Sequence, residues 1–173
     1  MSRFLVLVLS LVLMPQLHAG EEKFRNGEII KQHGLIADVP AAKPLPADTR
    51  FKLAIDVVEG GEEGVINSKF KTAASFINLQ YANGIPVENV EIALVVHGPA
   101  HKDILNAEAY GGENPNAELL SELVENGVKV YYCGQSAVYR GVEPENLLPG
   151  VEITLSATTT HVLLQQDGFA LRP

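Results

Sequence analysis

Apolar residues are grouped in short runs after about residue 50, and these runs alternate between the spacing of strands and the spacing of helices. Runs typical of strands occur at residues 51–58, 89–98, 128–133 and 151–157. The second run is unbroken from Ile92 to Val96, which indicates a strand covered on both faces, as in a parallel sheet flanked by helices.

Segments with helical spacing lie between these runs. Residues 67–84 and 114–127 predict two helices, each ended by a glycine, and a shorter helix after the fourth strand ends at Gly168. The final residues, 169–173, can add an edge strand. Alternation of strands and helices predicts a three-layer α/β/α sandwich with a mainly parallel sheet of about five strands.

The first residues have the pattern of a secretory signal peptide. Arg3 precedes an apolar run from Phe4 to Met14, and the small residue Ala19 follows. This run is short for a membrane span, so we expect residues 1–19 to be cleaved, with an uncleaved anchor as the alternative. The mature protein would then be exported, and no membrane would remain as its partner.

The next segment, residues 20–49, has weak periodicity and contains Pro40, Pro44 and Pro46. It predicts an extended lead-in on the surface of one α/β domain formed by residues 50–173.

Charge and cysteine content narrow the functional classes. The formal net charge is −8, and no basic cluster or tryptophan occurs, which argues against nucleic acid as a partner. Cys133 is the only cysteine, so the chain cannot form a disulfide within itself.

Polar residues follow the predicted strands at one edge of the sheet, where parallel α/β folds bind ligands. They are Asp56, His97, Cys133 and Ser156, followed within a few residues by Gln135, Ser136 and His161. The glycine-rich "EGGEEG" after the first strand does not predict a phosphate site, because its glutamates repel phosphate and it lacks the required lysine.

Cys133 can be a nucleophile or a buried structural residue. Residues 134–140 can begin a helix directly after the strand, with backbone N–H groups directed at the sulfur, and His97 could accept the thiol proton. These features favour an at least partly accessible thiolate. The alternative is an inert core cysteine, since free cysteine is among the most buried residue types.

Three segments together resemble the DsrE/DsrF-like family, in its YchN-related branch. They are "ALVVHGPA", "GVKVYYCGQSA" and "LLPGVEITLSATTTHVLLQQDGFAL". The resemblance extends over about residues 51–173, and the signal segment and lead-in resemble those of periplasmic members.

The resemblance implies a parallel-sheet fold, oligomers such as trimers or hexamers, and a cysteine that carries a persulfide in the sulfur-relay members. That cysteine matches Cys133, and the strand-end histidine matches His97. The expected substrate-binding residues are Gly134, Gln135, Ser136 and Thr159. We therefore expect a periplasmic homo-oligomer that binds or relays sulfane sulfur, with a donor or acceptor protein as a further partner and no cofactor.

Two other functions remain open. The protein could be a non-catalytic, homo-oligomeric module that binds a small ligand, with an incidental cysteine. Alternatively, His97, His101, Cys133 and His161 could form a zinc or copper site, although no contiguous ligand motif supports a metal and we assign none.

Overall fold

The computed structural model describes residue 20 and residues 23–173. The predicted signal peptide, residues 1–19, lies outside this part of the chain. Within the described residues, no helix is both long and apolar enough to cross a membrane.

The central sheet has five strands, all parallel, in the order β6-β5-β4-β3-β7. The strands in chain order are β1 (Phe24–Arg25), β2 (Ile36–Ala37), β3 (Phe51–Val57), β4 (Val90–Val96), β5 (Lys129–Cys133), β6 (Val151–Thr154) and β7 (Ala170–Arg172). Strands β1 and β2 form a separate antiparallel pair in the lead-in. The predicted parallel sheet of about five strands is confirmed.

Helices connect the strands. They are α1 (Ser68–Ala82), α2 (Ala107–Tyr110), α3 (Ala117–Glu125), α4 (Gly134–Arg140) and α5 (Ala157–Gln166). Three 3₁₀ segments, Val87–Asn89, Gly98–Ile104 and Pro144–Asn146, complete the connections. The sequence predicted α1, α3 and α5, and it indicated that a helix could begin after Cys133, but it gave no sign of the long 3₁₀ segment after β4.

The sheet separates two apolar clusters, which confirms the predicted α/β/α layers. The larger cluster joins the sheet to α1 and α3 through side chains such as Phe70, Leu94 and Leu119. The smaller cluster, on the other face, joins the sheet to α5 and contains Cys133 and Leu164. Successive strand residues face opposite sides, so only every second residue of β3, β4 and β5 faces α5.

Part of the lead-in packs into the core, contrary to the expectation that it lies only on the surface. Ile30 is 0% exposed and belongs to the larger cluster. The buried Asn78 of α1 accepts the Ile30 N–H at 2.9 Å and donates its amide to the carbonyls of Ile30 and Gly34, each at 2.9 Å. The prolines correctly indicated irregular backbone, but one pair of isoleucines between polar residues carries no periodic signal.

Candidate functional site

Cys133 is the last residue of β5 and the residue before α4, as the sequence predicted. Its backbone is paired with Thr154 of β6, and its side chain lies in the cluster between the sheet and α5. The residue is 6% exposed, which is less than expected for an accessible thiol. Any molecule that reacts with the thiol must therefore reach it through a narrow opening or a local movement.

Gly134 allows the strand to continue directly into the helix beside β6. A Cβ atom built at this position would lie 2.4 Å from the Thr154 carbonyl oxygen. Any side chain here would push α4 away from β6 and move the N–H groups that follow Cys133.

The sulfur of Cys133 lies among hydrogen-bond donors from two helix starts. Burial raises the pKa of the thiol, but the backbone N–H groups of Ser136 and Ala157, the Ser136 hydroxyl and the backbone N–H of Gln135 lower it. The net result is a thiol pKa below the ordinary value. Donors to the charged form stabilise a thiolate, and they would stabilise a persulfide anion in the same way.

The hydrogen-bond donor that α5 contributes, the Ala157 N–H, could not be inferred from the sequence. Ala157 is the first residue of α5, and Ser156 precedes it as the capping residue. The Ser156 hydroxyl caps α5 by accepting the Thr159 N–H at 3.0 Å. The Ala157 N–H is not used by this cap and can donate to the Cys133 sulfur. Ser156 signalled a helix start, but only the strand order places that start beside Cys133.

Ser136 connects the thiol to the segment after β4. Its hydroxyl oxygen accepts the Gly98 N–H at 3.2 Å, while the same side chain is among the donors at Cys133. Gly98 has φ of +59°, a conformation that favours glycine, and it begins the 3₁₀ segment directly after His97.

His97 lies beside Cys133 at the edge of the sheet. Val96 pairs with Tyr132 in the parallel register of β4 and β5, so the next residues, His97 and Cys133, are neighbours on the α5 side. This supports the proximity of the two residues that the sequence predicted.

Asp56 bridges two histidines. Its Oδ1 lies 2.9 Å from His97 Nε2 and 2.8 Å from His161 Nε2. All three side chains are largely but not fully buried. The sequence places Asp56 at a strand end without assigning it a role, and it offers His161 only as a residue of the same edge and a possible metal ligand. The available signal was a carboxylate near the end of a strand that is otherwise apolar except for Lys52.

The shared carboxylate determines how the two rings can work. If each neutral ring donates its Nε2–H to Asp56, its Nδ1 carries the lone pair that can accept a proton. The Nδ1 of His161 is buried and has no hydrogen-bond partner among the described residues. The arrangement can therefore leave one nitrogen of each imidazole available to accept a proton.

Two of the expected substrate-binding residues make structural contacts. The Gln135 amide donates to the Leu155 carbonyl at 3.3 Å, and the Thr159 hydroxyl accepts from Ser156 at 2.8 Å. Both side chains thus connect α4 or α5 to the segment after β6. Their role towards a substrate stays a prediction.

The four residues considered for a metal site do not form one cluster. His101 lines a different cavity, where its Nδ1 lies 3.2 Å from the Gly98 carbonyl. Among residue 20 and residues 23–173, no group of three His, Cys, Asp or Glu side chains is arranged to hold a metal ion.

The fold and site define an α/β protein with a donor-rich thiol at the carboxyl edge of a parallel sheet. Residues 52–171, more than half of the chain, match the DsrE/DsrF-like family, and the chain belongs to this family. The resemblance seen in the sequence is thereby confirmed.

One solved structure supports the fold, and a second is reported with it. A protein of unknown function from Methanobacterium thermoautotrophicum, MTH1491, is similar with a TM-score of 0.55 and 20% identity, over 70% of this chain and 97% of that one. The ychN protein from E. coli has 20% identity and a TM-score of 0.47, over the same shares of the two chains. No curated protein matches the chain.

Proposed function

We propose that this protein accepts a sulfane sulfur on Cys133 and passes it on as a persulfide. One observation carries the proposal: the N–H groups of Gln135, Ser136 and Ala157 and the Ser136 hydroxyl surround the sulfur and lower the pKa of the thiol. Membership of the DsrE/DsrF-like family, which is associated with sulfur relay, supports the same function.

The loading step needs no external oxidant or reductant. The Cys133 thiolate attacks the terminal sulfur of a persulfide donor R–S–SH, the new S–S bond forms on Cys133, and the donor S–S bond breaks. The donor leaves as R–S⁻, and Cys133 becomes Cys–S–SH, so the sulfur moves with no net redox change. The hydrogen-bond donors around the Cys133 sulfur then stabilise the ionised persulfide.

His97 takes the thiol proton in this proposal. Asp56 orients the ring by accepting its Nε2–H at 2.9 Å, and it holds His161 in the same way at 2.8 Å. A carboxylate behind an imidazole selects the tautomer and stabilises the imidazolium that forms. His97 is the acid–base group, and Asp56 positions it.

We further propose that the exported, periplasmic chain works as a homo-oligomer, a trimer or hexamer, and exchanges sulfur with a donor or acceptor protein. Val138 and Tyr139 of α4 are 84% and 82% exposed, and Leu155 after β6 is 72% exposed. These large apolar side chains are close in sequence to Cys133 and Thr154, and contact between copies would remove them from water.

The test is intact-protein mass spectrometry of the native protein after exposure to polysulfide. We expect the mass of wild type to increase by one or more sulfur atoms, and a reductant to reverse the increase. The Cys133→Ser variant should show no increase. His97→Ala should load more slowly by about 10²-fold, since a positioned proton acceptor is lost. Thermal melts of all variants serve as the folding control.

The alternative is a non-catalytic module that binds a small ligand at this edge of the sheet. The low exposure of Cys133 favours it, because a buried thiol reacts slowly. If wild type takes up no sulfur while the fold is intact, the relay is wrong and the binding module replaces it. If His97→Ala loads at the rate of wild type, Cys133 acts without this histidine.

A further inference from the structure

A cavity of about 680 Å³ lies at the same end of the sheet as Cys133, but Cys133 does not line it. Five segments form it: the loop after β3, the 3₁₀ segment after β4 with Leu105, the ends of α2 and α4 with the residues that follow them, and the end of the 3₁₀ segment Pro144–Asn146. Its polar and aromatic lining includes Glu62, Glu63, His101, Lys102, Tyr110 and Arg140. Neither Cys133 nor the Asp56 group lines this cavity, and the proposed sulfur transfer does not use it.

The wall formed by the 3₁₀ segment and α4 carries two cations. No ion pair joins Lys102 or Arg140 to a carboxylate within the described part of the chain. Arg140 lies over the Tyr139 ring, 5.4 Å from its centroid, which restricts the position of the guanidinium. Burial lowers the pKa of His101, and nearby Arg140 and Lys102 lower it further, so His101 lines this wall as a neutral ring.

The loop after β3 carries the opposite charge. Glu62 and Glu63 are exposed, and among the described residues neither forms an ion pair. The backbone of this loop is held in place, because the buried Asp103 accepts the Gly61 N–H at 2.8 Å and the Asn67 amide at 2.7 Å. Both bonds are accepted by one oxygen of Asp103, Oδ2, and Asp103 also lines the cavity. Glu62 and Glu63 are the exposed acidic groups that this loop offers to a ligand.

We propose that this cavity binds a small dipolar molecule of amino-acid or dipeptide size, with its carboxylate at Lys102 and Arg140 and its ammonium group at Glu62 and Glu63. A purely anionic ligand would be repelled by the two glutamates, and a purely cationic ligand by the two basic residues. A molecule with both charges can form a charge-assisted hydrogen bond at each wall.

The probe is glycylglycine, with two analogues that each lack one charge: N-acetylglycylglycine has no ammonium group, and glycylglycinamide has no carboxylate. Each is titrated into isotope-labelled protein and followed by amide NMR shifts. We expect saturable shifts at the glycines of the cavity, Gly61, Gly111 and Gly141. Each analogue should bind about tenfold more weakly than glycylglycine, because one charged contact is lost.

Variants assign the charges to the two walls. Arg140→Met should weaken the binding of glycylglycine about tenfold. The binding of glycylglycinamide should be unchanged or tighter, because that analogue has no carboxylate to lose a partner and its positive charge is no longer repelled by Arg140. Glu63→Gln should weaken the binding of glycylglycine and leave the binding of N-acetylglycylglycine unchanged or tighter. Lys71→Met, an exposed substitution on α1 with the same loss of charge, is the matched control and should change nothing.

Several results overturn the proposal. These are no saturable shift with glycylglycine, equal binding of the three probes, shifts centred outside the cavity, or an effect of Lys71→Met as large as that of Arg140→Met. Sulfur loading on Cys133 is measured on the same samples, so failure of this binding site and failure of the relay are seen separately.

Discussion

His161 Nε2 lies 2.8 Å from Asp56 Oδ1, although 105 residues separate the two along the chain. This contact connects α5 to the end of β3, and His97 approaches the same carboxylate oxygen from β4. A single carboxylate therefore orients imidazoles from two elements beside the helix start that faces Cys133.

Replacing Asp56 should slow sulfur loading without removing the thiol. In Asp56→Asn the amide no longer carries the charge that stabilises an imidazolium, and its neutral oxygen is a weaker acceptor for the two Nε2–H groups. We expect loading on Cys133 to slow by about tenfold or more, measured by intact mass over time. Asp38→Asn, which removes the exposed partner of Arg25, is the control and should load normally. Normal loading in Asp56→Asn would mean that the histidines do not take part.

The ionisation of Cys133 should differ from that of a free thiol. The rate of alkylation plotted against pH should have its midpoint below that of a free cysteine thiol, because the hydrogen-bond donors around the sulfur lower its pKa more than burial raises it. Ser136→Ala removes the hydroxyl donor and should move the midpoint upward, while the backbone donors remain. A wild-type midpoint at or above that of a free thiol contradicts the thiolate mechanism.

The same shift affects stability, with a definite sign. Because the pKa of the thiol is lower in the folded protein than in the unfolded chain, ionisation of Cys133 stabilises the fold. This contribution is complete above the unfolded pKa and is lost as the pH falls through the folded pKa. The free energy of unfolding of wild type, relative to Cys133→Ser, should therefore increase as the pH rises through this window. Urea titrations at a series of pH values measure it.

Truncating Ile30 should destabilise the protein, although the residue lies in the irregular lead-in. Ile30 is 0% exposed, so Ile30→Ala leaves a cavity in the core and should lower the free energy of unfolding by about 2–4 kcal/mol. Leu45→Ala, at a lead-in residue that is 44% exposed, should cost far less. Equal midpoints for both variants in urea would place Ile30 outside the cooperative core.

The exposed apolar side chains of α4 should mediate self-association. We expect the mature chain to sediment as a closed oligomer at micromolar concentration, and Val138→Glu to shift it towards the monomer, because the substitution buries a charge in the contact. Val39→Glu is the control, since Val39 is 61% exposed but lies in the lead-in. A wild-type monomer across this range contradicts the oligomer.

The sequence alone was enough to predict the five strands of the central sheet, the main helices and the position of Cys133 between β5 and α4, but not the strands β1 and β2 of the lead-in. These features depend on periodicity and on short-range signals such as capping residues, which act between neighbours in the chain. The same local reasoning placed His97 at the carboxyl edge, because every parallel strand ends at that edge.

Only the tertiary structure decided which residues meet there. The strand order and the packing of α5 bring Ala157 to Cys133 and His161 to Asp56, while the 3₁₀ segment after β4 carries His101 into a separate cavity. Likewise, Ile30 is buried because Asn78 holds its backbone against α1. These contacts join residues far apart in the chain, and no local pattern encodes them, since they arise from how complete elements pack on both faces of the sheet.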